Sequence, residues 1–271
     1  MREIYWFRND LRLQDNPGLL AHAQADELLC VFFWPRPRPW CNVSGIGAHR
    51  ERFLVESLQA LRDALRERGQ DLLVLQGAPE LLLPDLVGQH RIARIGVARA
   101  GGVDEERQLE GVRARVGIPL ALHPANTLFR HEQLPFPPGG MPRQFTPFRE
   151  RVEALDVDAV QPAPDALPPP PRAARFAALA RPVASPHPGF AARGGTVAGE
   201  RRLHDWMWRE RAAVYYKDTR NALDGLHASA RLSPWLANGS LSARQVALEL
   251  LRFEREETRN ESTGWFRQEL L

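Results

Sequence analysis

The chain has 271 residues, 44% of them hydrophobic and 25% charged, so it can bury the core of one large or two modest globular domains and is not a disordered tail. No apolar run reaches the roughly 20 residues of a membrane span, and the N-terminus lacks the layout of a signal peptide, which predicts a cytoplasmic protein without membrane association. The net charge is +3, but residues 1–169 carry 20 basic and 22 acidic side chains whereas residues 170–271 carry 16 and 11, so a polyanion should contact the second part.

The first 130 residues alternate short apolar runs with helical patterns, which is typical of a parallel sheet with crossover helices. Five apolar runs predict five strands, at residues 4–7, 28–33, 72–75, 93–97 and 118–122. The strongest helix lies between the second and third strands, because leucines recur there every three or four residues and a glycine follows to end it: Leu54, Leu58, Leu61, Leu65 and Gly69. The sequence therefore predicts a Rossmann-like α/β domain at residues 1–130.

The turn after the first strand, residues 9–18, has no glycine-rich phosphate loop, which disfavours a nucleotide in the usual dinucleotide position. Its alternating charges, Arg8, Asp10, Arg12 and Asp15, predict a salt-bridged loop that is tied to the domain beneath it. The cysteines, Cys30 and Cys41, fall at no metal-ligand spacing and are too few for a disulfide scaffold. We therefore predict no metal site, and we expect Cys30 to be a buried apolar residue.

Residues 131–198 read as a connector between domains, because the segment from 161 to 188 is rich in proline and alanine and has no sustained period. From residue 199 the pattern is helical, with glycine and serine at the breaks, so residues 199–271 predict an all-helical domain. Ser242 and Gln245 form a capping box for one of its helices, in which Leu248 and Leu251 can face inward. Residues 265–271 read as the start of a helix that stops without a capping signal, and we expect this domain to be incomplete.

Three blocks of sequence carry a family resemblance. They are residues 6–17 (WFRNDLRLQDNP), an aromatic and proline-rich block at 128–129, 134–136 and 144–149, and a helical block at 199–205, 216–221 and 229–236. Together they resemble the cryptochrome/DNA photolyase family. The thirteen-residue step from Tyr216 to Ser229 and the four-residue step from Trp265 to Glu269 are similar to the cryptochrome DASH branch.

The resemblance implies a flavin adenine dinucleotide (FAD) cofactor, with contacts from the residues that match the family motif: Tyr216, Ser229, Arg231, Leu232 and Ser233. It also implies a monomeric deoxyribodipyrimidine photo-lyase that uses blue light to repair pyrimidine dimers in DNA, single-stranded in this branch. There are two alternatives. The chain could be a blue-light photoreceptor of the same fold without efficient repair, or a fragment that does not hold flavin. Because the chain supplies only part of the family's flavin cavity, we expect it alone to bind flavin weakly or not at all, not to complete repair, and to expose Trp265, Phe266, Leu270 and Leu271.

The residues by themselves allow plainer interpretations. Ser233 followed by Pro234 is a good helix start, in which the hydroxyl caps free amides, and the same amides would favour a pyrophosphate. Ala230 stands where the family usually has a hydroxyl residue, so one phosphate contact is lost. Arg244 could bind DNA or flavin, or be a solvated arginine in a first helical turn. Glu269 matches a family glutamate beside the flavin and the lesion, or is a surface residue of its helix.

Family members often also bind methenyltetrahydrofolate as an antenna, through an acidic residue just after the fourth strand. Here that stretch is ARAGGVDEE, residues 98–106, and the usual glutamate is replaced by Ala100 or Gly101. The resemblance therefore implies a possible folate site that lacks its acidic residue.

Overall fold

The computed structural model describes residues 1–35, 45–137, 139–181, 183–222, 224–225 and 227–271. Its N-terminal part is built on β1 (Arg2–Phe7), β2 (Glu27–Trp34), β3 (Leu72–Gln76), β4 (Arg94–Ala98) and β5 (Leu120–His123). The strands lie in the order β3-β2-β1-β4-β5, and every neighbouring pair is parallel. The predicted five-stranded parallel sheet is confirmed, with each strand end within two residues of its predicted position.

Helices cover both faces of this sheet: α1 (Pro17–His22), α2 (Ala48–Arg66), α3 (Pro79–His90) and α4 (Val103–Val116). Because successive strand residues point to opposite faces, Tyr5 and Phe7 of β1 pack with α2 whereas Ile4 and Trp6 pack with α3 and α4. The predicted leucine stripe of α2 is confirmed, since three of its leucines are buried and the fourth is half-buried at the edge: Leu58, Leu61, Leu65 and Leu54.

Cys30 lies in β2 and is fully buried. Burial, and next the nearby Asp71 carboxylate, raise the pKa of its thiol, because both disfavour the thiolate. Cys30 is therefore an apolar core residue, as predicted. Cys41 lies outside the described residues.

A buried polar cluster joins α1 to the sheet. His22 is fully buried, with Nδ1 2.5 Å from Glu3 Oε2 and Nε2 3.2 Å from His123 Nε2. Arg94 NH2 also donates to Glu3 Oε2, at 2.9 Å. Burial lowers the pKa of His22 to about 4, against the opposing attraction of Glu3, and Arg94 and His123 lower it further. His22 is therefore neutral in the folded chain at pH 7.

We expect this histidine to make the fold sensitive to acid. In the unfolded chain a histidine takes up a proton as the pH falls through ~6.5, whereas folded His22 resists protonation down to about pH 4. The contribution to stability is therefore complete above pH ~6.5 and is lost as the pH falls toward 4. Urea unfolding between pH 7 and 4 should show a smaller decrease for His22→Gln than for the wild type. His49→Gln, an exposed histidine, is the control, and an unchanged slope for His22→Gln would contradict the assignment.

The C-terminal part is helical. It contains α6 (Thr196–His204), a π-helical segment (Asp205–Arg209), a 3₁₀ turn (Ala212–Tyr215), α7 (Tyr216–Thr219), α8 (Ser233–Asn238), α9 (Ala243–Glu256) and α10 (Glu261–Gln268). Among the described residues no strand follows β5, apart from an isolated bridge between His187 and Phe190 in the connector. Helix α6 begins three residues before the predicted start of the helical part.

Helix α9 begins with the predicted capping box: Gln245 N–H donates to Ser242 Oγ (3.0 Å) and Ser242 N–H to Gln245 Oε1 (2.8 Å). The predicted inward residues are wrong in part, because Leu248 is half-buried and Leu251 is exposed. The core face of α9 instead contains Val246, Leu250 and Phe253, which are spaced four and three residues apart on one side of the helix.

The connector contains more structure than was predicted, namely a 3₁₀ turn (His131–Gln133) and helix α5 (Phe145–Val152). Its aromatic residues do anchor it: Phe136 and Phe148 stack with ring centroids 5.9 Å apart, in a cluster that includes Phe129 and Ala247 of α9. The connector therefore packs against the helical part.

The loop after β1 joins the two parts of the chain. Leu11 N–H donates to Asn238 O at 3.1 Å, and the Arg12 guanidinium donates to Gly239 O at 2.8 Å and to Ala125 O at 2.7 Å. Arg244 of α9 makes an ion pair with Asp15, with Nε 3.1 and 3.0 Å from the two carboxylate oxygens. The charged loop is therefore bound to the helical part as well as to its own domain.

Helix α2 provides a second link. Ser57 Oγ accepts hydrogen bonds from Asn238 Nδ2 (2.9 Å) and Gly195 N–H (3.1 Å). Arg52 NH2 donates to the carbonyl groups of Phe190 and Ala192, both at 2.9 Å. The contact between the two parts is thus dense in hydrogen bonds to backbone groups. No helix among the described residues is long and apolar enough to cross a membrane.

Candidate functional site

Helix α7 contains Tyr216 and contacts the two segments that hold the other residues singled out by the family motif. Tyr216 is buried edge-on against Trp206 and Phe266, with ring centroids 5.8 and 5.2 Å away. Thr219 Oγ1 donates to Ala228 O at 2.9 Å, and Arg220 NH1 donates to Glu269 Oε1 at 2.6 Å. One short helix therefore contacts both the turn before α8 and the end of α10.

Side chains of the helical part hold every carbonyl group of residues 227–230. Trp206 Nε1 donates to His227 O (3.0 Å), and Thr219 donates to Ala228 O. Arg202 donates to the next two carbonyl groups, from NH2 to Ser229 O (3.1 Å) and from Nε to Ala230 O (3.0 Å). Side-chain hydrogen bonds therefore fix the carbonyl groups that lead into the turn at residues 229–233.

The amide side of the same turn has few partners. Arg231 N–H donates to Ser229 Oγ (3.2 Å), and no hydrogen bond from the N–H of Ala230, Leu232 or Ser233 is present within the described ranges. Arg231 has a φ of +53°, in the left-handed region, and Leu232 follows in the right-handed region with φ −82° and ψ −9°. Such a pair directs successive N–H groups into one concavity, which favours an anion.

Ser233 differs from its predicted role. Leu232 occupies the N-cap position of α8, with right-handed backbone angles. Ser233 is therefore the first residue inside the helix, and its hydroxyl caps no backbone amide. Pro234 lies in the first turn, as predicted. The exposed Ser233 hydroxyl, beside the amides of the turn, has no partner in the part of the chain that the structure describes.

Glu269 lies at the C-terminal end of α10, with 45% of its side chain exposed. It pairs with Arg220, whose guanidinium lies over the Trp265 ring, 4.4 Å from its centroid. Burial, and next the Glu269 carboxylate, raise the pKa of Tyr216. Glu269 is therefore a partly exposed residue whose partner in this structure is Arg220.

The predicted exposure of the C-terminal apolar residues is wrong. Phe266 is buried, and Trp265, Leu270 and Leu271 are half-buried. Phe266 packs against Trp206 and Tyr216 in the core of the helical part, where Trp265 also packs, and the aromatic cluster of the connector includes Leu270 and Leu271.

Arg244 does not lie at a surface where DNA could bind. Its side chain is 5% exposed and the Asp15 carboxylate is fully buried, so the guanidinium is enclosed in the link between the two parts. The structure therefore contradicts the predicted DNA contact of Arg244. Arg231, in contrast, is exposed, and its NH2 donates to Gly225 O at 3.0 Å.

The sequence interpretation missed Arg202, Trp206 and Thr219, which together hold the turn. Their bonds to backbone carbonyl groups carry no sequence signal, because the partners are backbone atoms that any residue would provide. Arg202 and Thr219 lie within the helical block of the family motif, which was the available hint, whereas Trp206 lies one residue outside it.

The comparisons with known proteins agree with this architecture. The family model for DNA photolyase matches residues 3–171. Cryptochrome DASH of Idiomarina loihiensis is 36% identical over 99% of the chain, and that of Gloeobacter violaceus is 34% identical over 99%. The chain spans 61% and 57% of the length of these relatives.

Solved structures show the same fold. A Synechocystis sp. PCC6803 cryptochrome superposes with a TM-score of 0.85 at 31% identity, covering 100% of this chain and 59% of its own. A bacterial class III photolyase from Agrobacterium tumefaciens gives a TM-score of 0.80 at 24% identity, over 99% of this chain and 56% of its own.

Proposed function

The chain belongs to the DNA photolyase family, whose members are flavoproteins of DNA repair and light reception, and we propose that it contributes the α7 side of an FAD site in a blue-light photolyase of the DASH type. The proposed substrate is a cyclobutane pyrimidine dimer in single-stranded DNA, and the proposed form is a cytoplasmic monomer. Bound FAD would supply the light-driven electron that splits the dimer. Folate is not part of the proposal, because Ala100 and Gly101 offer no acidic group.

The turn at residues 229–233 is the observation that carries this proposal. Its unpartnered amides and the exposed Ser233 hydroxyl are donors for an anion, and the family motif puts flavin contacts at these residues. The residues present therefore fit a pyrophosphate group. The Tyr216 ring, packed between Trp206 and Phe266, supports α7 beside the turn.

The proposed role of Glu269 is to exchange a hydrogen bond with the lesion. In this structure the Glu269 carboxylate accepts a hydrogen bond from Arg220. To reach a substrate it must share or release the Arg220 guanidinium. Dimer-containing DNA would have to lie at this exposed end of α10.

Blue-light repair is the direct test. The protein is mixed with FAD, reduced, and illuminated with a single-stranded oligonucleotide that contains a thymine dimer, and the split bases are measured by chromatography. Since the chain spans 61% of the length of its Idiomarina relative, we expect FAD to bind weakly, the repaired fraction to be small, and repair to require both light and flavin. Flavin binding with a light response but without repair would favour the photoreceptor alternative, and no flavin binding would contradict the proposal for this chain.

We expect Ser233→Ala to weaken FAD binding by about tenfold, the effect of one hydrogen bond to a charged group. The hydroxyl caps no helix, so the stability of the fold should not change. Fluorescence titration with FAD measures the affinity. Ser185→Ala, an exposed serine of the connector, is the control, and equal affinities for the two variants would remove Ser233 from the site.

DNA binding should depend on salt. If the basic excess after residue 170 contacts the backbone, the logarithm of affinity for single-stranded DNA should fall with the logarithm of salt concentration, by a slope of about −0.7 for each neutralised phosphate. Fluorescence anisotropy with and without the dimer measures both salt and lesion dependence. Affinity that ignored both would contradict a repair function.

A further inference from the structure

We infer that Arg202 is a positioning residue for the proposed pyrophosphate turn, acting from the side opposite the ligand. The inference rests on the proposed function, because it concerns how the turn at residues 229–233 is prepared for an anion. It starts from the two hydrogen bonds that one guanidinium makes to neighbouring carbonyl groups, those of Ser229 and Ala230.

The guanidinium shape suits this task. Nε and NH2 lie in one plane on the same side of the group, so they reach two successive carbonyl oxygens at 3.0 and 3.1 Å. A lysine ammonium has no such pair of parallel donors and could keep only one of the bonds in a fixed geometry. Because the carbonyl groups of Ser229 and Ala230 are held toward Arg202, the following amides are directed to the opposite side.

The third nitrogen fixes Arg202 itself. NH1 lies 3.4 Å from both carboxylate oxygens of Glu210, and Glu210 Oε2 lies 2.7 Å from His227 Nδ1. His227 lies two residues before the turn, and its carbonyl oxygen is the one held by Trp206. Glu210 therefore holds the Arg202 guanidinium in place and ties it to His227, in the segment that leads into the turn.

Charge adds to the geometry. Arg202 is 20% exposed and Glu210 is 15% exposed, so their contacts are partly screened from solvent. Because the Glu210 carboxylate offsets much of the Arg202 charge, the anion is favoured chiefly by the peptide dipoles, whose N–H ends face the concavity. Arg202 touches no ligand in this arrangement, and its effect is transmitted through the peptide groups of Ser229 and Ala230.

The test compares Arg202→Lys with Arg201→Lys. Arg202→Lys keeps the charge and loses the paired donors, whereas Arg201 is 81% exposed on the same helix, with its Nε 3.9 Å from an Asp205 carboxylate oxygen. Two probes are titrated into each protein, FAD and inorganic pyrophosphate. We expect Arg202→Lys to bind both about tenfold more weakly, which is about 1.4 kcal/mol, and Arg201→Lys to bind as the wild type does.

A second variant separates positioning from a general loss of structure. Arg202→Ala should lose anion binding, and millimolar guanidinium should restore part of it whereas methylammonium should not, because only guanidinium offers the parallel donors. A circular dichroism spectrum equal to that of the wild type establishes that each variant is folded.

The outcomes distinguish this inference from the proposed function. If the wild type binds pyrophosphate but not FAD, the flavin proposal fails, and Arg202 is judged on pyrophosphate alone. If folded Arg202→Lys binds both probes as the wild type does, or if methylammonium rescues Arg202→Ala as well as guanidinium does, the positioning role is overturned. A wild type that binds neither probe would overturn both.

Discussion

Replacing Arg244 by methionine should lower the free energy of unfolding by about 3–5 kcal/mol, the usual effect of removing one partner of a buried ion pair. Methionine keeps much of the volume and removes the charge. The Asp15 carboxylate would then remain fully buried without its counter-charge. Because this pair joins the loop after β1 to α9, the loss should also loosen the contact between the two parts of the chain.

Urea unfolding followed by tryptophan fluorescence measures this effect. Arg255→Met, an exposed arginine of the same helix, is the control and should leave the midpoint unchanged. The double variant Asp15→Asn with Arg244→Met should recover part of the loss, because it removes the uncompensated charge and asparagine tolerates the φ of +53° at position 15. If Arg244→Met unfolds at the wild-type midpoint, the pair does not hold the two parts together.

Gly239→Ala should destabilise the chain by about 2–5 kcal/mol, the sum of a left-handed backbone penalty and a steric one. Gly239 has a φ of +72°, and a Cβ there would lie 1.9 Å from Asn9 O and 2.5 Å from Asn9 C. Both are backbone atoms of the loop after β1, so the clash can be relieved only if the two parts move apart.

Gly117→Ala is the matched control. Gly117 has a φ of +63° at the end of α4, and nothing lies within 4 Å of the place that an alanine methyl group would take, so its replacement should carry only the backbone penalty, about 1–2 kcal/mol. The difference between the two urea midpoints isolates the steric contribution of the interface. Equal losses for the two variants would show that the loop adapts to the added methyl group.

The features predicted correctly from sequence are those with a local signal. Apolar runs located all five strands, and the leucine spacing located the buried face of α2, because periodicity reports which side of an element is buried. The capping box of α9 was equally local, since Ser242 and Gln245 are three residues apart. The family motif also named Tyr216 and Glu269, and the helices that carry them are in contact, since Tyr216 packs on Phe266 of α10 and Arg220 pairs with Glu269; their roles toward flavin stay predictions.

The features that were missed depend on partners elsewhere in the chain or on backbone angles, neither of which the residue types record. Arg244 was predicted to contact DNA, with a flavin contact or a solvated arginine as alternatives, because its partner, Asp15, lies 229 residues away in the sequence. Ser233 looked like an N-cap because serine before proline is a good helix start, but the backbone of Leu232 moved the cap one residue earlier. The role of Arg202 depends on carbonyl oxygens, which leave no trace in the residue types around them.

The separation of 229 residues between Asp15 and Arg244 also has a consequence for the order of folding. During synthesis the ribosome delivers the sheet long before α9, and N-terminal parts generally fold first as units. Until α9 arrives, the loop after β1 presents a hydrated carboxylate and open backbone groups to water. Contacts between residues so far apart in sequence form slowly. The Asp15 carboxylate therefore stays hydrated until α9 arrives, and its pairing with Arg244 is a late step in folding.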